Sequence, residues 1–309
     1  MKSSLPCDAA LDRAVKTAAP GRPREIEEAT NLYLVHPVSR ALVDRLIRTP
    51  VTPNQVSVAS VFMAAAGALC YVGVAWPLGA LAGLAFFFAW HVLDGADGDL
   101  ARRSGRASTS GELVDGICDH VSQAMLYVAL AVILSRSLGG WAWAIALAAA
   151  ACHFVQANAY ETGRKTYRRW VYGAGWMRQN PDSLAQTGAL RNLLGGAYLW
   201  VSNVANPGEG EIESAMATRL AVDGASADAA RARYRELYAP LVKASAVLGG
   251  NVRTLTAFLA VLAGAPLWFF AFEIVILNLA LAGLVVWRRR LDRALLGGLA
   301  EAQAASAPN

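Results

Sequence analysis

The apolar residues of this chain come in blocks, and the length of those blocks is what most restricts its fold. Positions 55 to 75, 77 to 93, 117 to 134, 138 to 160 and 252 to 287 are apolar, whereas 1 to 31 and 207 to 236 are polar and charged. A helix rises about 1.5 Å per residue, so about 20 residues cross a hydrocarbon core of about 30 Å. The stretch 252 to 287 holds two crossings only if the first begins near Pro240 and the chain turns at Gly264-Ala265-Pro266. Six spans result, near 54 to 75, 77 to 101, 110 to 134, 138 to 162, 240 to 264 and 267 to 287. With 55% of 309 residues hydrophobic and 17% charged, the composition excludes both an ordinary soluble domain and a disordered tail. The expected fold is an all-α integral membrane protein with six transmembrane helices. Pro6, Pro20 and Pro23 precede the first block, which is unlike a cleavable signal peptide, so the first span is expected to remain in the mature protein.

Charge sets the expected orientation. Arg40, Arg45 and Arg48, the turn with Arg102, Arg103 and Arg106, the segment 164 to 243, and Arg288, Arg289, Arg290 and Arg293 share one side. The opposite loops carry only Arg136. The positive-inside rule then puts both termini in the cytoplasm. The multi-pass protein is expected in the cytoplasmic membrane of a bacterium, an assignment suggested by its alanine and arginine richness. The net charge of +5 reads as topology and attraction to anionic lipid, with no separate evidence for nucleic acid. Cys7, Cys70, Cys118 and Cys152 form no CxxC pair and read as small hydrophobes.

The chain divides into a cytoplasmic N-terminus at 1–36, expected to be mobile; an interfacial amphipathic helix at 37–49; four spans at 50–165; an insertion at 166–239; two spans at 240–287; and a cytoplasmic tail at 288–309. In the amphipathic helix Val38, Leu42, Val43, Leu46 and Ile47 share one face, with Arg40, Asp44, Arg45 and Arg48 on the other. Thr52-Pro53-Asn54-Gln55 joins an N-cap threonine, a first-turn proline and a glutamine three residues on, so the first span starts sharply. Within the insertion, Leu190 to Ala205 reads as an interfacial helix, and Ser226 as the cap of a short charged helix through Tyr238.

The segment His91 to His120 carries the chemistry. An acid in the middle of a spanning helix costs about 2.5 to 3.5 kcal/mol on insertion, so such acids usually face a polar site. Asp94 and Asp97 stand three apart, with Gly98, Ala101 and Arg102 continuing the same face; Gly111, Asp115 and Asp119 form one stripe on the next helix. A short turn joins the helices, so the two stripes can face each other. Four converging carboxylates repel unless a cation sits between them, and an all-oxygen set favours Mg²⁺, Mn²⁺ or Ca²⁺ over Zn²⁺. Gly98, Ala101 and Gly111 leave room for a phosphorylated ligand, and Arg102 can clamp a phosphate.

These residues resemble the signature of the CDP-alcohol phosphotransferase family: DxxDGxxAR, eight residues, G, three, D, three, D, filled by Asp94, Asp97, Gly98, Ala101, Arg102, Gly111, Asp115 and Asp119. The resemblance implies six spans, a juxtamembrane amphipathic helix and a homodimer. It implies transfer of a phosphate-bearing substituent from a CDP-linked donor to an alcohol with release of CMP. Asp94, Asp97, Asp115 and Asp119 would hold two metal ions, Mg²⁺ or Mn²⁺, with Asp119 also the base. Asn54, Gly98, Ala101, Arg102, Ser108 and Gly111 would receive the donor. CDP-diacylglycerol with a small polar or phosphorylated alcohol, in phospholipid synthesis, is the favoured pair; the alternative donates a CDP-linked headgroup to a lipid alcohol. Arg253, Arg164 and Lys165 are candidate acceptor ligands, with Glu273 and His153 expected to pack against polar neighbours. A divalent cation transporter would distribute its acids along a path through the bilayer, whereas these cluster on two adjacent helices.

Overall fold

A computed structural model of the protein describes residues 23–173, 209–221 and 224–306, and every regular element among them is helical. A π-helical turn at Asn31–Val35 runs into α1 (His36–Leu46), followed by α2 (Pro53–Gly73), α3 (Leu78–Arg103), α4 (Thr109–Leu138) and α5 (Trp141–Tyr172). Then come α6 (Glu209–Leu220), α7 (Ala225–Ala244), a 3-10 turn at Ser245–Leu248, α8 (Gly250–Leu262), α9 (Pro266–Ala271), a π turn at Phe272–Ile276, and α10 (Leu277–Ser306).

Among the described residues, six helical stretches are long and apolar enough to cross a membrane: Pro53–Gly73, Leu78–Arg103, Ser110–Leu138, Trp141–Tyr172, Ser226–Leu262 and Pro266–Leu299. The count and the first three agree with the apolar blocks. The fourth runs past its expected end at 162. In the fifth, Pro240 lies inside α7 and does not begin a helix. The new start is at Gly250, with Gly249 extended as its N-cap. Ser226 does not cap α7 either: the N-cap is Gly224 at φ 93°, a left-handed value that favours glycine. The expected helix at Leu190 to Ala205 lies outside the described residues.

The chain forms two compact units. One, spanning Glu28–Phe154 and Leu248–Asn278, contains the acidic motif. Its core includes Tyr71, Phe87, Trp90, Leu130, Phe269 and Phe270. Helices α2 and α3 approach closely because small residues line their contact: a Cβ on Gly83 would lie 2.2 Å from the Tyr71 ring. Helix α1 docks across α3. Val43 is fully buried against Ala96, Leu100 and Val56, the Ser39 hydroxyl donates to the Val92 carbonyl at 2.7 Å, and Arg103 pairs with Asp44 at 2.7 Å. Of the apolar face read from sequence, Leu42 and Leu46 join Val43, while Val38 and Ile47 are exposed.

The other unit comprises Met1–Glu27, Val155–Val247 and Leu279–Asn309. Tyr167, Met216, Tyr234, Tyr238 and Leu295 build its core together with Ile26, which is fully buried. Glu25 accepts hydrogen bonds from the Tyr167 and Tyr172 hydroxyls at 2.5 and 2.6 Å, and Glu27 pairs with Arg164 at 3.4 Å. The N-terminal segment therefore enters a packed core well before position 36. Its apolar contact is one isoleucine among charged residues, too little for a hydrophobic pattern.

Candidate active site

Two helix starts and one helix end build the site. At the start of α2 the Thr52 hydroxyl accepts from the Gln55 amide at 3.3 Å, and the Gln55 side chain accepts from the Thr52 amide at 2.9 Å. This reciprocal cap satisfies two amides that the first turn leaves over. It also sets Asn54 on the first turn. Helix α4 starts in the same manner, with the Ser108 hydroxyl accepting from the Gly111 amide at 3.1 Å. A Cβ on Gly111 would stand 3.1 Å from that hydroxyl and 3.5 Å from the Asn54 Oδ1. Asn54, Ser108 and Gly111 are thus brought together.

The last turns of α3 carry Asp94, partly buried, and Asp97, which is 3% exposed. On α4, Asp115 is partly buried and Asp119 exposed. The charges of Asp115 and Asp94 both act on Asp97. Cys118, buried between Asp115 and Asp119 in sequence, senses all four carboxylates. The two acidic stripes therefore lie within electrostatic reach of one another. As the side chains are placed, no three His, Cys, Asp or Glu residues among the described residues are grouped tightly enough to hold a metal ion. The donor chemistry of the four aspartates suits a hard divalent cation: the ligands are all oxygen and carry like charges that act on one another.

Arg102 is half-exposed and pairs with Asp99 one turn earlier, its guanidinium folding back over Gly98, where a Cβ would meet Nη1 at 3.4 Å. Asp99 lay off the acidic stripes and was left out of the site, although its i,i+3 spacing from Arg102 is that of a helical ion pair. Ala101 is partly buried beside Arg102.

Ser57 is the other residue the sequence reading missed. Its hydroxyl is 2.5 Å from Asp97 Oδ2, and Asp97 Oδ1 accepts from the Gly98 amide at 2.5 Å. The available signal was periodicity, since Ser57 stands three residues after Asn54 and shares its face of α2.

Arg253 on α8 is fully buried, its Nε 2.9 Å from Glu273 Oε1, and its Nη1 donates to the carbonyls of Leu248 and Gly249 at the break before α8. Glu273 is fully buried as well, in the π turn. His153 packs on the Tyr127 ring at 5.7 Å. Arg164 and Lys165 belong to the second unit; Arg164 pairs with Glu27 and Glu161, and Lys165 is exposed.

Residues 50–202 match the family model described as CDP-alcohol phosphatidyltransferase, a range that contains Asn54, Ser57, Ser108 and the whole eight-position signature. No curated protein matches the chain. The matched range takes in four of the six apolar helical stretches and both acid-bearing helices. Residues 50–202 of the chain are thus a domain of the CDP-alcohol phosphatidyltransferase family, a family of transferases of substituted phosphate groups that move a phosphoalcohol group from a CDP-alcohol.

Proposed function

We propose that the protein transfers a phosphatidyl group from CDP-diacylglycerol to a small polar or phosphorylated alcohol, releasing CMP, as a step of phospholipid synthesis. Two observations support the reading: the α3 and α4 acids lie within electrostatic reach of one another, and Asn54, Ser108 and Gly111 approach one another at the starts of α2 and α4. Asn54 and Ser108 offer polar groups to the nucleotide, and Gly111 between them adds no side chain. Gly98 and Ala101 keep the adjoining face of α3 open. Arg102 exchanges its surface pairing with Asp99 for a phosphate of the donor; an exposed ion pair contributes only about 0 to 1 kcal/mol, so little opposes the exchange.

Asp94, Asp97, Asp115 and Asp119 would hold Mg²⁺ or Mn²⁺, two ions per site. Bound there, the ions would neutralise the diphosphate and favour in-line displacement at phosphorus. Asp119, the most exposed of the four, takes the proton of the acceptor hydroxyl. The acceptor oxygen forms its bond to phosphorus as the bond to CMP oxygen breaks, and CMP leaves with the electron pair. Arg253 is left out of the acceptor site because its guanidinium is engaged by Glu273 and two carbonyls. The protein works as a homodimer in a bacterial cytoplasmic membrane, with the acid end of α3 and α4 and both termini on the cytoplasmic side.

The test is CMP release by the purified protein in lipid, with CDP-diacylglycerol, Mg²⁺ and a panel of alcohols, products followed by mass spectrometry. A new phospholipid that disappears in Asp119→Asn supports the proposal. CMP formed only from CDP-linked headgroups and a lipid alcohol reverses the donor assignment, and no CMP from either pairing refutes the reaction.

A further inference from the structure

Ser57 is 2% exposed, and so is not placed on α2 for solvation. Its hydroxyl has one proton and two acceptors in range, the Pro53 carbonyl at 3.3 Å and Asp97 Oδ2 at 2.5 Å. The first is the ordinary helical back-bond of a serine to the carbonyl four residues earlier. The carboxylate contact is much shorter and charge-assisted, and it takes the proton. A buried carboxylate whose charged neighbours include other acids gains stabilisation from each donor it keeps. With the Gly98 amide on Oδ1 and Ser57 on Oδ2, both oxygens of Asp97 are held and the plane of the carboxylate is set. A carboxylate has about four lone-pair directions, so two hydrogen bonds leave two for another ligand.

We infer that Ser57 is a positioning residue of the acid cluster, holding the Asp97 carboxylate in one orientation for a divalent cation. The inference rests on the metal-dependent reading above. It extends the site beyond the eight signature positions to the first helix of the matched domain, so that α2 supplies both Asn54 and the support of a ligand on α3. Residues that orient metal ligands typically matter by about 10- to 100-fold in metal affinity or activity.

The experiment measures Mn²⁺ binding directly, by electron paramagnetic resonance on the intact protein in lipid nanodiscs, for wild type, Ser57→Ala, Ser57→Thr and Asp97→Asn. The thermal unfolding midpoint of each is recorded without metal. The expected result is roughly 10- to 100-fold weaker Mn²⁺ binding in Ser57→Ala, near wild-type binding in Ser57→Thr, and unchanged unfolding of both. The Mn²⁺ concentration giving half-maximal CMP release should move in parallel. Should Ser57→Ala not fold, Ser57→Cys, with similar volume and a weak donor, takes its place. Wild-type binding by Ser57→Ala or its substitute overturns the positioning role. Absence of saturable, Asp97-dependent Mn²⁺ binding in the wild type instead overturns the metal reading beneath it.

Discussion

Glu273 and Asp97 are both carboxylates buried in helical stretches apolar enough to cross a membrane, yet their surroundings are opposite. Glu273 faces Arg253 at 2.9 Å, a fixed countercharge that also secures the Leu248 and Gly249 carbonyls where the helix breaks. Asp97 is held by two neutral donors, Ser57 and the Gly98 amide, and the charges of Asp115 and Asp94 act on it. The first arrangement is closed: charge, countercharge and carbonyls satisfy one another, and removing any part leaves the others stranded. The second gathers negative charge at one place, which a folded chain does not need for its stability. An acid with its own arginine is part of the scaffold, while the acids gathered together are the ones for which a cation from outside is proposed.

The sharpest way to break this comparison is to neutralise one acid of the cluster. Asp119→Asn should lower CMP release by about 10²- to 10⁴-fold, the usual range for a general base. Its thermal unfolding midpoint should stay level or rise, because a repulsive charge has been removed. A clear loss of stability would mean that Asp119 belongs to the scaffold as Glu273 does.

The converse change is Arg253→Met. Breaking a buried ion pair by removing one partner typically costs about 3 to 5 kcal/mol, because the remaining charge is stranded. The expected outcome is a strongly lowered unfolding midpoint, largely restored in the double variant Arg253→Met with Glu273→Leu. Activity per folded molecule should be retained in the double variant. A double variant as unstable as the single one would show that the carbonyl contacts of Arg253, and not its charge pairing, hold α8 in place.

How far these roles could be read from sequence depends on the range of the interactions involved. Apolar block length revealed the six stretches because crossing distance is a property of one helix at a time. The Thr52 cap and the two acidic stripes were legible for the same reason, since each is set by spacing along a single segment; the Ser108 cap of α4 was not read. Pairings between segments were not legible. Nothing in the order of residues ties Ser57 to Asp97 forty positions away, and Arg253 to Glu273 was only one of several pairings open to a basic group at membrane depth. Pro240 misled because a proline suits a first turn, whereas here α7 continues through it and ends at Ala244. Ile26 was passed over because one apolar residue among charges makes no periodic signal.

Glu25 extends the comparison to the second unit, with the smallest expected effect. Burial pulls its carboxyl upward, but the Tyr167 and Tyr172 hydroxyls and the Arg235 charge outweigh this and hold it below its ordinary 4.5. Arg235 stands 3.4 Å away and also lies over the Tyr172 ring at 5.1 Å. A carboxyl lowered by folding contributes stability above its ordinary value, and that contribution is lost as pH falls through the lowered one. The side chain is 35% exposed, so solvent screening keeps the contribution near 1 kcal/mol at neutral pH. Glu25→Gln keeps the shape and removes the charge. Its unfolding midpoint should lie slightly below wild type at neutral pH, and the gap should close as the solution is acidified below 4.5. A gap that stays constant with pH would mean that Ile26 packing, and not the Glu25 charge, fastens the N-terminal segment. Glu25 would then cease to be a counterpart of Glu273, and that role in the second unit would fall to Glu27, buried and paired with Arg164 at 3.4 Å.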